Sequence, residues 1–208
     1  MLKCSYSSIV PEAGCDEAGR GCLAGPVVAA AVILPPGYAN PLLNDSKKLT
    51  APVRERLRSE IQECALSWSV GYADNDEIDT INILRASILA MHRALSGLTM
   101  KPGHIIIDGN FFISFEDIPH TCIVRGDSIY SSIAAASILA KTHRDEMMCR
   151  LHSEFPLYGW NTNKGYATGF HAAALLEHGT CRLHRKSFRP CSGQLNIEFE
   201  PDGHETPS

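Results

Sequence analysis

The sequence lacks any apolar run long enough to span a bilayer, which requires about 20 consecutive residues. Residues 1–5 also lack the apolar segment of a secretory signal. We therefore expect a cytoplasmic protein that makes no contact with a membrane. None of the 8 cysteines belongs to a Cys-x-x-Cys pair, so we expect reduced thiols in that compartment.

Positive charge is also scarce. The sequence has 19 Lys and Arg and 23 Asp and Glu, which gives a net charge of −4. This balance argues against a protein that coats nucleic acid through bulk charge. A local basic groove is still compatible with it. Basic residues cluster at 47–58 and 182–189, although a solvated surface is the alternative interpretation for both clusters.

The length and composition predict one folded domain, with 44% hydrophobic and 20% charged residues among 208. We assign residues 1–190 to this domain and residues 191–208 to a flexible acidic tail. Apolar or alternating segments predict five strands, near 9–15, 26–34, 67–72, 104–108 and 121–124. Helical spacing and capping residues predict helices at 50–64, 74–95, 128–151 and 170–177. The alternation of strands and helices predicts an α/β fold with a mixed sheet flanked by helices.

The most informative segment places Asp16 beside Glu17 and then Arg20 between Gly19 and Gly21. Adjacent acids at the edge of a core are costly unless a cation neutralises them, and divalent metals bind carboxylate oxygens. Glycine lets a backbone come close to a ligand, and arginine recognises phosphate. The segment therefore indicates metal-dependent chemistry on a phosphodiester.

Two further acids occur at corners of the predicted fold. Asp108 ends the strand after three isoleucines, and Asp127 follows Gly126 at the start of a helix. Taken alone, Asp108 is a turn residue and Asp127 a helix cap. Since α/β proteins bind ligands at strand ends, we predict that all four acids form one site. Clustered carboxylates suit two cations roughly 4 Å apart, which align a phosphate for in-line attack by water.

The chain closely resembles bacterial ribonuclease HII in several segments that follow one another in the same order from about residue 9 to residue 190. These segments are DEAGRG at 16–21, DSKKL at 45–49, IDG at 107–109, GD at 126–127, SIAAASILAK at 132–141, NKGY at 163–166 and LHRKSF at 183–188. Each fragment alone is weak, but their combination is highly specific.

The resemblance implies the ribonuclease H-like fold with a C-terminal helical part. It implies an endoribonuclease that hydrolyses the RNA strand of RNA–DNA hybrids and nicks duplex DNA 5′ of embedded ribonucleotides, leaving 3′-hydroxyl and 5′-phosphate ends. It also implies two-metal-ion catalysis with Mn²⁺ or Mg²⁺. The family's four metal-binding acids match Asp16, Glu17, Asp108 and Asp127.

Substrate contacts are also implied by the resemblance. The family's Gly-Arg-Gly, which contacts the ribose 2′-hydroxyl and nearby phosphates, matches residues 19–21. The family tyrosine that packs on the ribonucleotide sugar and checks the RNA–DNA junction matches Tyr166. We further expect phosphate contacts from four basic residues, Lys47, Lys48, Lys164 and Arg185.

Several interpretations near these motifs stay open. Cys22 stands where the family more often has proline, which predicts a slightly looser turn. For His184 and Arg185 an exposed basic turn explains the pattern as well as a substrate groove does. Arg144 is interpreted as part of an ion pair on a helix surface, and His171 as structural.

The tail and the oligomeric state carry separate expectations. Residues 194–199, QLNIEF, resemble short peptides that dock on the bacterial sliding clamp, with Ile197 in place of the usual leucine. Chance hydrophobic residues in a disordered tail are the alternative interpretation. We expect the protein to be a monomer.

Two rival functions remain. A DNA nuclease or recombinase of the same fold would use a similar acid cluster and ignore the 2′-hydroxyl, the group that distinguishes RNA from DNA. A non-catalytic module that binds hybrids would need no acid cluster, so the presence of four acids argues against it.

Overall fold

The computed structural model describes residues 2–43 and 49–189. Its five strands are β1 Glu12–Ala18, β2 Val27–Ile33, β3 Ser67–Ala73, β4 His104–Asp108 and β5 His120–Ile123. Its α-helices are α1 Ala51–Cys64, α2 Asn75–Ile81, α3 Ile83–Ser96, α4 Ser131–Glu154, α5 Trp160–Asn163 and α6 Gly169–His178. Within the described ranges, no helix combines the length and the apolar character that crossing a membrane requires.

The strands form one mixed sheet in the order β3-β2-β1-β4-β5. The β3-β2 and β2-β1 pairs are antiparallel, and the β1-β4 and β4-β5 pairs are parallel. The predicted α/β class with a mixed sheet is therefore confirmed, and each of the five predicted strands is present.

Helices cover both faces of the sheet. On one face α3 packs against β2, where Ala29 and Ala31 join a core cluster. On the other face α4 and α1 pack over Ala30 and Val32. Because neighbouring side chains of β2 point to opposite faces, burial on both faces explains its uninterrupted apolar sequence.

Helix α4 lies unusually close to β1 at Gly14. A Cβ built on Gly14 would lie 2.3 Å from the carbonyl carbon of Ser132, a distance that real Cβ atoms do not adopt. The small residues of α4 near this contact, Ala134 to Ala136, are fully buried in this layer. This approach brings the first half of α4 next to the end of β1 that carries Asp16.

Two helix boundaries differ from the prediction. The helix predicted at 74–95 is two helices, because Asn82 has φ 67° and its side chain accepts hydrogen bonds from the N–H groups of Leu84 and Arg85. The positive φ interrupts α2, and the side chain then caps α3. The helix predicted from residue 128 begins at Ser131, since Gly126–Ser128 forms a separate 3₁₀ turn.

Candidate active site

The parallel pairing of β1 and β4 brings two of the predicted acids together. Cys15 lies opposite Ile107 in this pair. The next residue on each strand, Asp16 and Asp108, therefore reaches the same edge of the sheet. Glu17 follows on β1 at the same edge.

The side chain of Asp16 is in an electrostatically unfavourable position for a charged group. Asp16 is only 5% exposed. Burial, followed by the neighbouring carboxylates of Glu17 and Asp108, raises the pKa of Asp16 well above its usual value. Hydrogen bonds to Asp16 from the Ser137 side chain and from the Glu17 backbone N–H lower its pKa and so oppose this effect. The Glu17 nitrogen lies 2.7 Å from Asp16 Oδ1. Glu17 and Asp108 are thus each close enough to repel Asp16.

The fourth acid is connected to this group through the backbone. The Gly126 N–H donates to Asp108 Oδ1 at 2.7 Å, which ties the end of β4 to the 3₁₀ turn before α4. Asp127 is the next residue and is buried. The N-cap of α4 is Tyr130, so Asp127 does not cap the long helix.

The donor set suits a divalent cation, because buried carboxylates that repel one another are stabilised by a hard ion with oxygen ligands. Over residues 2–43 and 49–189, no three His, Cys, Asp or Glu side chains converge as ligands of a single ion. The carboxylates accept other hydrogen bonds instead. Asp16 and Asp108 accept backbone N–H groups, and Glu17 Oε1 pairs with Arg20 Nη1 at 3.1 Å.

The loop after β1 faces outward beside the acids. Gly19 has φ 95°, and a Cβ there would lie 2.0 Å from Arg144 Nε, so a larger residue is excluded by the protein itself. At Gly21 a Cβ would meet no atom within 4 Å. The Arg20 side chain is 49% exposed. The loop therefore presents Arg20 and the Gly21 backbone to a ligand.

Tyr166 lies on the same side of the molecule and is 37% exposed. Its ring lies 5.4 Å from Lys141 Nζ and 5.7 Å from the guanidinium carbon of Arg144. Its hydroxyl shares a hydrogen bond with Cys22, and Cys22 and Tyr166 also form an antiparallel bridge. The bridge places the tyrosine against the loop that carries Arg20.

Comparison with known proteins identifies the family of this chain. The family model described as Ribonuclease HII matches residues 13–191. A curated ribonuclease HII from Bacteroides thetaiotaomicron is 60% identical over 189 residues, which cover 90% of this chain and 94% of that protein. The chain belongs to the ribonuclease HII family. It is accordingly a ribonuclease H, a hydrolase of phosphodiester bonds.

Solved structures share the fold of the family. The ribonuclease HII in a PCNA complex from Archaeoglobus fulgidus is 26% identical, with a TM-score of 0.69 and coverage of 86% of this chain and 96% of that one. The Bst ribonuclease HIII solved with Mn²⁺ is 24% identical, with a TM-score of 0.70 and coverage of 87% and 68%. The second likeness supports the fold alone.

The interpretation of Arg144 as a surface ion pair is wrong. Its side chain is fully buried, and it donates to three backbone carbonyls. Nε bonds to Pro26 O at 2.9 Å, Nη2 to Ala24 O at 3.2 Å and Nη1 to Lys164 O at 2.8 Å. Arg144 therefore joins the loop after β1 to the segment that carries Tyr166.

The structure also corrects the phosphate contact predicted for Arg185. This side chain is fully buried, and desolvation lowers its pKa to about 10. It donates to Gly25 O at 3.0 Å and to Arg20 O at 2.9 Å. Because the guanidinium has no exposed surface, Arg185 supports the loop from beneath. The alternative interpretation of His184 and Arg185 as an exposed basic turn is also excluded, since both side chains are fully buried.

The turn at Cys22 contains a hydrogen bond to its own backbone. The Cys22 N–H donates to Gly19 O at 3.3 Å, a bond that proline cannot make because it lacks the donor. Cys22 is fully buried. The slightly looser turn stays a prediction.

The remaining basic residues differ in what the structure reveals. Lys164 is half-buried, and its ammonium lies 2.8 Å from Cys149 Sγ and donates to Asn161 O. Its predicted phosphate contact stays a prediction. Lys47 and Lys48 lie outside the described residues, and so does the predicted clamp peptide at 194–199.

Sequence reasoning missed two residues that shape this site. Ser137 bonds to Asp16, and its position as a polar residue in a stretch of small apolar ones was the available signal. Arg144 gave no such signal, because Asp145 beside it and the helical spacing suggested an ordinary surface charge.

Proposed function

We propose that the chain cleaves the RNA strand of RNA–DNA hybrids and nicks duplex DNA on the 5′ side of an embedded ribonucleotide. The observation that carries the proposal is the placement of Asp16, Glu17 and Asp108 at one sheet edge, beside the outward-facing loop 19–21. The acids supply ligands for the chemistry, and the loop supplies contacts near the sugar that defines the substrate.

We assign the metal ligands to the four acids, with Asp16 and Asp108 central and Glu17 and Asp127 flanking. Two divalent cations bound there would polarise the scissile phosphate and the attacking water. Mn²⁺ or Mg²⁺ fits the all-oxygen donor set, and the Bst ribonuclease HIII of the same fold was solved with Mn²⁺. The carboxylates would orient the cations and neutralise part of their charge. None of the carboxylates forms a covalent bond to the substrate.

The proposed hydrolysis needs no histidine base. The water oxygen forms a bond to phosphorus and gives up a proton to solvent, while the bond from phosphorus to the upstream 3′ oxygen breaks. That oxygen takes up a proton from solvent, so the products carry a 3′-hydroxyl and a 5′-phosphate. His171 is fully buried and bonds to other core groups, which agrees with its interpretation as structural.

Recognition of ribose is assigned to the loop. We assign contacts with the 2′-hydroxyl and the adjacent phosphates to Arg20 and the backbone of residues 19–21, and a DNA strand lacks that hydroxyl. Arg20 is held near the acids by its ion pair with Glu17. Specificity and chemistry would therefore act on the same nucleotide.

The test compares three duplexes of one sequence, all-DNA, with one ribonucleotide, and with one full RNA strand, in Mn²⁺ and in Mg²⁺. We expect cleavage of the two RNA-containing duplexes only. Equal cutting of the all-DNA duplex would favour a DNA nuclease of this fold. Tight binding of the hybrid without cleavage in either metal would favour a binding module.

Tyr166→Ala is expected to lower kcat/KM for the duplex with one ribonucleotide about tenfold more than for the long hybrid. A long hybrid offers many sites without a junction, so loss of the ring should matter less there. Tyr72→Ala, which removes another exposed tyrosine on β3, serves as the control and should leave both rates unchanged. Equal losses on the two substrates would remove the junction role from Tyr166.

We also propose that residues 194–199 bind a sliding clamp. The archaeal relative solved in complex with PCNA supports such a partner. A peptide of residues 191–201 should bind purified bacterial clamp in a direct titration, and absence of binding at high micromolar concentration would reject the idea. The expected monomeric state and cytoplasmic location stay predictions.

A further inference from the structure

The segment that carries Tyr166 is held by its backbone carbonyls. Lys164 O accepts from Arg144 Nη1 at 2.8 Å. Gly165 O accepts from the Leu23 N–H at 2.8 Å. Two consecutive carbonyls are thus fixed by α4 and by the loop after β1, two parts of the molecule that are distant in sequence.

The third carbonyl, that of Tyr166 itself, has a different partner. It accepts from the Thr168 N–H at 2.8 Å and lies 3.0 Å from His171 Nδ1. His171 belongs to α6 and is fully buried. The exposed tyrosine is therefore connected directly to a buried imidazole ring.

The hydrogen bonds around the two buried histidines define their tautomers. The Cys181 N–H donates to His184 Nδ1 at 3.0 Å, so the proton of neutral His184 is on Nε2. The Nε2–H of His184 faces His171 Nε2, and the two nitrogens are 3.1 Å apart. His171 Nε2 also accepts a hydrogen bond from Trp160 Nε1 at 3.2 Å. His171 Nε2 is therefore an acceptor, and its proton is on Nδ1, where it donates to Tyr166 O.

This directional chain works only with both rings neutral. A proton added to His184 Nδ1 would face the Cys181 N–H, and one added to His171 Nε2 would face two other donors. Burial and the neighbouring ring of His171 lower the pKa of His184 to about 4, and burial lowers the pKa of His171. Both rings are thus neutral at physiological pH, in agreement with the hydrogen-bond pattern.

We propose that His184 and His171 form a hydrogen-bond relay that positions Tyr166 and so sets the preference for a single ribonucleotide over a long hybrid. The relay runs from the Cys181 N–H through His184 and His171 to Tyr166 O. His171 and His184 are positioning residues, since neither touches the substrate. The proposal rests on the junction role proposed for Tyr166.

Two substitutions at His171 separate the halves of the relay. In His171→Asn the amide nitrogen takes the place of Nδ1 and keeps the donor to Tyr166 O, while the acceptor for Trp160 and His184 is lost. In His171→Gln the amide oxygen takes the place of Nε2 and keeps that acceptor, while the donor to Tyr166 O is lost. The two variants are therefore matched controls for each other.

The two variants are expected to separate substrate selectivity from thermal stability. His171→Gln should lower the ratio of kcat/KM for one ribonucleotide over the long hybrid about tenfold. His171→Asn should keep that ratio within about twofold, although it should melt at a lower temperature because buried N–H groups lose their acceptor. If selectivity follows the melting temperature in both variants, the role is structural and the proposal is overturned.

The tautomers provide a test that does not depend on activity. Imidazole ¹⁵N chemical shifts of the full chain should show the proton on Nδ1 of His171 and on Nε2 of His184. The opposite assignment for His171 would overturn the relay even if the protein cleaves both substrates.

The outcome also separates this inference from the proposed function. If the unaltered protein cuts neither RNA-containing duplex, the proposed function fails, while the tautomers still decide whether the relay exists. If Tyr166→Ala lowers the ratio and folded His171→Gln does not, only the relay's role fails. If Tyr166→Ala leaves the ratio unchanged, the relay's role in selectivity is rejected with it.

Discussion

Asp16→Asn is expected to lower kcat on every RNA-containing duplex by about 1000-fold or more, while duplex affinity changes by no more than about threefold. A factor of 1000 corresponds to about 4 kcal/mol of lost transition-state stabilisation, the scale expected when a metal site is disabled. Asp16 is more buried than Glu17 and Asp108, and both of these acids repel it. The substrate contacts proposed above lie instead in the loop and on basic groups, which the substitution leaves in place.

Asparagine at this position should leave the fold intact. Its side-chain oxygen can still accept the Glu17 N–H, and the lost charge relieves repulsion with Glu17 and Asp108. The metal-free variant should therefore melt at the same or a higher temperature than the unaltered protein. Mn²⁺ should raise the melting temperature of the unaltered protein and have a smaller effect on the variant.

Asp145→Asn is the matched control. Asp145 is a partly buried acid on α4 that pairs with Lys141, and no metal role is assigned to it. Its rate should stay within about threefold of the unaltered protein. Retention of full activity by Asp16→Asn, or a comparable loss in Asp145→Asn, would contradict the metal assignment.

Arg144→Met is expected to destabilise the protein by roughly 3–6 kcal/mol, because three carbonyls would lose their donor at about 1–2 kcal/mol each, the lower half of the range for an unsatisfied group. For a chain of this size, 1 kcal/mol shifts the melting temperature by about 2–4 °C. A decrease of about 10 °C is therefore expected. Methionine fills much of the volume, so the loss reports mainly on the hydrogen bonds to Ala24, Pro26 and Lys164.

Arg150→Met provides the comparison on the same helix. Arg150 is exposed and pairs with Glu146, and such surface pairs contribute about 0–1 kcal/mol. Its melting temperature should change by no more than about 2 °C. Similar melting of the two variants would show that Arg144 does not hold the loop and the Tyr166 segment together.

The sequence was informative where the chemistry is local. An adjacent acid pair followed by Gly-Arg-Gly indicates binding of a metal and a phosphate whatever the surrounding fold. The apolar run of β2 predicts a strand that is buried on both faces. The break at Asn82 was harder to predict, because the apolar spacing of α2 and α3 continues across it. Only the backbone conformation at that residue divides the two helices.

Arg144 and Arg185 show more clearly what could not be predicted from the sequence. In the sequence each is one cation among several in a polar segment. In the structure both are buried and donate to carbonyls, Arg144 at residues 24, 26 and 164 and Arg185 at residues 20 and 25. Such acceptors offset the desolvation cost of a buried guanidinium, and they come from distant parts of the chain.

The sequence by itself determined the family, the mixed α/β sheet and the acids assigned to catalysis, because these depend on residue types and on their order. The tertiary structure decided which charges are available to a substrate and which support the fold. It also decided how Tyr166 is held, through a chain of two histidines that lie 13 residues apart. The reason is physical: residue type fixes what a group can donate or accept, and only folding determines which partners it meets and how much water remains around it.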